Sequence, residues 1–101
     1  MSAPVLLLRV AVAWPLPGLG LLVLPTGPTP YLAACGLHTA LTVAAHLPDG
    51  TRHVGTATVE EVSRPDDVTG PTRGLLLDLG TAEHLPPGAD IWLTGPAELL
   101  P

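Results

Sequence analysis

The sequence predicts an all-β fold, a small antiparallel Greek-key barrel of six to seven strands. Two observations carry that prediction. Glycine (11) and proline (13) are abundant in 101 residues, and they punctuate short apolar runs instead of filling polar tracts. No stretch shows the sustained 3.6-residue period of a long helix. With 47% hydrophobic and 13% charged residues, the chain has ample material for a core, which excludes disorder. A length of 101 residues suits one domain, with the barrel over about 5–95 and a short tail over 96–101.

The elements follow in order. Val5 to Trp14 reads as a strand, with Val10, Val12 and Trp14 facing one way and Arg9, Ala11 and Ala13 the other. Pro15 and Pro17 remove backbone donors, so the strand is expected to stop before them. Leu16-Pro17-Gly18-Leu19-Gly20 then makes a reversal in which at least one glycine should hold φ > 0, and Leu19 to Leu24 returns as a strand. Pro25 to Pro30 is a loop, and Tyr31 to Cys35 is ambiguous. Thr39 to His46 and Arg52 to Val62 alternate about Pro48-Asp49-Gly50, a strong hairpin signal. Val54, Thr56, Thr58 and Glu60 share one face, while Gly55, Ala57, Val59 and Glu61 share the other, where small residues suit close packing. Arg64 to Thr72 is a polar loop, Gly74 to Gly80 a Leu-rich strand, Thr81 to Gly88 a connection with one helical turn near 82–84, and Ala89 to Thr94 the last strand. The expected core is Val10, Val12, Trp14, Leu41, Val43, Val59, Leu75, Leu77, Ile91 and Leu93.

Composition narrows the function classes. The absence of Lys, Phe, Asn and Gln matches GC-rich coding, as in a bacterial genome, and carries no functional meaning for the phenylalanines. Four arginines against nine acids give a net charge of −5, which disfavours nucleic acid as a partner. Cys35 is the single cysteine, so no intramolecular disulfide forms and a cytoplasmic, reducing compartment is expected. Leu32-Ala33-Ala34-Cys35 has the form of a bacterial lipobox, but Met1 to Leu8 carry no cationic side chain and prolines crowd the stretch before the motif. No apolar run reaches the length of a membrane span, so no membrane partner is expected.

Chemistry-bearing residues are sparse. His38, His46, His53 and His84 fit no zinc-ligand spacing, although the Asp49-Gly50 turn can bring His46 and His53 together; no metal and no cofactor are expected. Asp66 and Asp67 read as a solvated loop. Asp78 should point outward with Leu76, opposite Leu75, Leu77 and Leu79. Cys35 has no cationic neighbour to activate it and reads as a partly buried, inert thiol. Ser2 and Ser63 are the only serines, so no Ser-His-Asp constellation arises and no enzyme activity is expected.

In order and spacing, these segments resemble domain 2 of elongation factor Tu and related translational GTPases. Leu16-Pro17-Gly18-Leu19-Gly20 stands where that family has Ile-Pro-Gly-Arg-Gly, and Gly36-Leu37-His38 resembles the Gly-Asp that opens its middle hairpin. Thr58-Val59-Glu60 resembles its Gly-Val-Glu, Gly74-Leu75-Leu76-Leu77 its Gly-Val-Leu-Leu, and Pro87-Gly88-Ala89-Asp90-Ile91 its closing strand. The similarity spans about nine-tenths of the chain, from Val5 to Ile91. Leu19 and Asp78 replace family arginines, and a chain without lysine carries no phosphate-cradling GTPase loop.

The resemblance implies a free-standing binding module. By resemblance, Glu60, with Leu76 and neighbouring Arg64, lines a cleft for the aminoacyl-tRNA acceptor end or an adenine nucleotide. A domain separated from its usual neighbours also exposes apolar surface, which favours a protein partner or homo-oligomer. Leu19 is expected to be exposed and to touch a partner, a second copy or the Pro25 to Pro30 loop.

Overall fold

The computed structural model describes residues 5–63, 71–80 and 84–94. In chain order the elements are β1 (Val5–Leu16), β2 (Gly20–Pro25), α1 (Pro30–Ala34), β3 (Ala40–His46), β4 (Arg52–Val62), β5 (Thr72–Asp78) and β6 (Asp90–Leu93). The six strands close into an antiparallel barrel in the order β1-β2-β5-β4-β3-β6. β3, β4 and β5 are successive antiparallel neighbours and β6 returns beside β3, which is the Greek-key arrangement. The helical turn expected near 82–84 and the tail over 96–101 lie mostly or wholly outside the described residues, as do Asp66 and Asp67.

Most of the expected core is in place. Val10, Leu41, Val43, Val59, Leu75, Leu77 and Ile91 are buried, joined by Leu7, Leu21, Val23, Leu32 and Leu85, while Leu93 packs against this cluster from a half-buried position. Leu32 explains the ambiguous stretch. Pro30 starts a short helix where a missing N–H costs nothing, and the helix inserts Leu32 fully into the core.

β1 departs from the expected pattern in two ways. Its pairing slips between Leu6 and Leu8 against β6, and again between Val10 and Val12 against β2. Each bulge adds a residue and reverses the alternation beyond it, so Leu7 and Leu8 are both buried. Trp14, expected in the core, is therefore turned out and 42% exposed, Val12 is half-buried, and Ala13 packs on the core instead. Pro15 is also inside the strand, paired with Leu21. β6 pairs with β1 only from Val5 to Arg9, so Pro15 needs no amide for a second strand neighbour.

The 16–20 reversal behaves as expected. Gly18 and Gly20 have φ of 80° and 131°, and the Leu19 amide bonds the Leu16 carbonyl at 2.8 Å. Leu19 is 64% exposed. The Pro25 to Pro30 loop does not cover it, because Pro25 pairs with Val10 at the opposite end of the β1–β2 ladder. That loop instead faces Leu6 to Arg9 and encloses with them a groove of about 280 Å³.

The β3–β4 hairpin closes through a three-residue loop, with the Leu47 amide bonded to the Thr51 carbonyl and Gly50 at φ 92°. His46 consequently pairs with Arg52 and Ala45 with His53. A two-residue turn would have joined His46 to His53; the extra loop residue puts them on opposite faces.

Candidate binding surface on the outer face of the barrel

Strand registers define what lies side by side outside the barrel. Thr58 pairs with Leu76 and Glu60 with Gly74, so Glu60 and Leu76 are diagonal neighbours on one face. Leu76 continues to Leu22, and Leu22 to Trp14. The Glu60 carboxylate accepts from Thr58 Oγ1 at 2.8 Å and meets His38 Nδ1 at 3.3 Å. His38 leads into β3 with φ 67°, the single non-glycine residue at positive φ among those described. Its amide donates to the Val59 carbonyl at 2.7 Å, which fixes the ring beside β4. Arg64, the third residue of this candidate cleft, lies outside the described residues.

Two further rows cross four strands. Leu6 pairs with Trp92, Trp92 with Ala44, and Ala44 with Val54. Leu6 is 41% and Val54 57% exposed, and Trp92 is half-buried between them. Ala44 is fully buried yet stands apart from the core cluster, as the small residue between Trp92 and Val54. Alongside runs a polar row, Arg9–Asp90–His46–Arg52. Arg9 holds Asp90 through Nε to Oδ1 at 2.7 Å and Nη2 to Oδ2 at 3.3 Å. This hydrogen bond and the attraction of the Asp90 charge raise the Arg9 pKa above its ordinary value. Arg52 Nε donates to His46 Nε2 at 3.3 Å, and the His46 ring lies 6.2 Å from the Trp92 ring at a 41° tilt.

These rows were missed in the sequence because they depend on register. Period two sets Val54 on the face opposite Val59, but Trp92 and Leu6 join it only through β6, which lies between β1 and β3. Asp78 is exposed as expected, paired with Thr56 and accepting from the Gly80 amide at 3.2 Å. Gly55 lies directly against the Asp78 carbonyl, the close packing its face suggested. Cys35 is half-buried; its carbonyl accepts from Arg73 Nη1 at 3.4 Å, and Arg73 Nε sits 3.7 Å from Glu61.

Among the described residues no three His, Cys, Asp or Glu side chains gather into a metal-binding group, and no helix is long and apolar enough to cross a membrane. No protein-family model, curated protein or solved structure matches the chain.

Proposed function

We propose that this chain is a non-enzymatic binding module whose outer barrel face takes a protein partner, in the cytoplasm. The observation that carries the reading is the row Leu6–Trp92–Ala44–Val54, which runs across four adjacent strands with exposed Leu6 and Val54 at its ends and half-buried Trp92 and buried Ala44 between them. Apolar surface of this kind is stabilised by cover from another chain. The exposed Leu19 at the β1–β2 tip gives a second apolar contact, suited to another copy of the same protein. Charge argues against a polynucleotide, since the net charge is −5 and Arg9 and Arg73 are already set against carboxylates.

The test is capture from extract of the native host on the immobilised chain. Capture that is lost on Val54→Asp and kept on Thr56→Ser supports the reading. Equal capture by both variants overturns it.

A second reading rests on the neighbouring positions of Glu60 and Leu76. There an aminoacyl-tRNA acceptor end or an adenine nucleotide would set its base on the Leu76–Leu22–Trp14 row, with a ribose hydroxyl donating to Glu60. Chemical-shift mapping with adenosine and a short CCA oligonucleotide tests it. Shifts centred on Leu76 and reduced by Glu60→Gln support it, and no response at millimolar ligand ends it.

A further inference from the structure

The seam between β1 and β6 sets an apolar pair and a charged pair on one outer face. Leu6 on β1 is level with Trp92 on β6, and Arg9 is level with Asp90. Leu6 and Arg9 are three positions apart, which in a regular strand would put them on opposite faces. The bulge between Leu6 and Leu8 removes that conflict. Leu6 and Arg9 are accordingly both exposed, while Leu7 and Leu8 between them are buried. Arg9 holds Asp90 through Nε to Oδ1 at 2.7 Å and Nη2 to Oδ2 at 3.3 Å. The Arg9 side chain is nevertheless more than half exposed, and a guanidinium has more N–H donors than this contact engages. The seam thus presents a cation and an anion side by side, next to a leucine and an indole.

From this pattern we infer that the protein forms a symmetric dimer in which the β1–β6 seam packs face to face on the same seam of a second copy. A twofold axis running along the seam lays β1 of each copy over β6 of the other. Arg9 of each copy then lies over Asp90 of the other, and Leu6 over Trp92. The ion pairs close into a ring of alternating charges, and the exposed leucine is covered by an indole. Charge complementarity selects the occupant. A different partner must carry an anion, a cation and two apolar side chains in the mirrored order, whereas a second copy carries them already. The signs of the charges also fix the axis, because one running across the strands through the charged row sets Arg9 on Arg9 and Asp90 on Asp90. A net charge of −5 makes the copies repel at long range, so the local alternation of charge has to hold them together. This deepens the reading of the outer face as a protein-binding surface, and it rests on that reading for Leu6 and Trp92. Val54 lies on β4, two strands beyond β6 in the barrel order, and is outside the seam.

Exchange of charge between two variants tests the arrangement. The whole chain carrying Leu19→Arg is the starting protein, so that contact through the hairpin tip does not contribute, and sedimentation velocity over a concentration series should show it as a dimer. Adding Arg9→Asp sets acids against acids across the axis, and adding Asp90→Arg sets arginines against arginines. Each variant alone should associate at least about tenfold more weakly, the effect of like charges facing each other. Mixed in equal amounts, the two variants complement each other at both contacts. The mixture should recover the association as a dimer of one copy of each, identified by its mass in native mass spectrometry. Thermal unfolding shows whether each variant is folded. Where a charge variant fails to fold, Leu6→Asp decides: it alters an exposed side chain, leaves Arg9 and Asp90 in place, and should also weaken association about tenfold by dehydrating a carboxylate against Trp92. A starting protein that is monomeric at every concentration overturns the inference. So does undiminished association of a folded charge variant or of Leu6→Asp, or a mixture of folded variants that stays monomeric. Capture that depends on Val54 is read outside the seam, so the partner-binding reading can stand where the dimer fails.

Discussion

His38 Nδ1 meets the Glu60 carboxylate at 3.3 Å from a backbone held at φ 67°. The left-handed region costs a residue with a Cβ on the order of 1 kcal/mol, and far more where the side chain is β-branched. The ring contact is mostly exposed, with His38 74% accessible, so it contributes little to stability. His38→Gly should leave the denaturation midpoint nearly unchanged, because relief of strain offsets the added freedom of the unfolded chain. His38→Val should lose about 1–3 kcal/mol. Equal losses in the two variants would show that the ring contact, not the backbone, matters.

Gly18 and Gly20 share a turn but differ in what surrounds them. A Cβ on Gly18 meets open space, whereas one on Gly20 runs into the Leu77 carbonyl of β5. Gly18→Ala should cost on the order of 1 kcal/mol through its positive φ alone. Gly20→Ala should cost several times more, since β2 and β5 must part to admit the methyl group. Urea denaturation of the two variants compares them directly.

How much of this was legible in the sequence follows from the type of signal. Local chemistry could be read directly: Pro-Gly and Asp-Gly turns, and the period of two along β4, where Ala57 and Val59 face the core. Register could not. The bulges in β1 turned Trp14 outward, and one extra loop residue separated His46 from His53. Both are single-residue offsets that no periodicity announces, yet each decides which side chains share a face. Glu60 and Leu76 are diagonal neighbours because no bulge interrupts the β4–β5 ladder from Thr56 to Val62.

Burial separates core positions from surface ones quantitatively. Leu77 is 1% exposed and packs in the core cluster, so Leu77→Ala should cost roughly 2–5 kcal/mol. Val54 is 57% exposed, and Val54→Ala should change stability by less than about 0.5 kcal/mol. A large loss at Val54 in thermal denaturation would mean that the outer row is internal packing and not free surface.

The pKa of Asp49 lies below its ordinary value of 3.8, held there by the Thr51 side chain and then the Thr51 amide. A depressed carboxyl pKa stabilises the folded state above the unfolded value, and that contribution is lost as pH falls through the folded value. Asp49→Ala should therefore lower the denaturation midpoint at neutral pH. The gap from the parent protein should close in acid, below about pH 3.8. A gap that widens on acidification would contradict the Thr51 assignment.

Leu19 stands at the tip of the β1–β2 hairpin, where its backbone is tied by the bond from its amide to the Leu16 carbonyl. Its side chain is 64% exposed, the most open of the large apolar residues among those described, and the Pro25 to Pro30 loop lies at the far end of the ladder. Replacing it by arginine adds no buried charge and leaves the turn glycines in place, so the melting temperature should hold. Self-association through the tip should weaken, because a charge would then have to be dehydrated against the second copy. Light scattering across a concentration series measures the association, and thermal unfolding measures the fold. A clear drop in melting temperature would place Leu19 among the packing residues. An unaltered association constant would move the self-contact away from the hairpin tip.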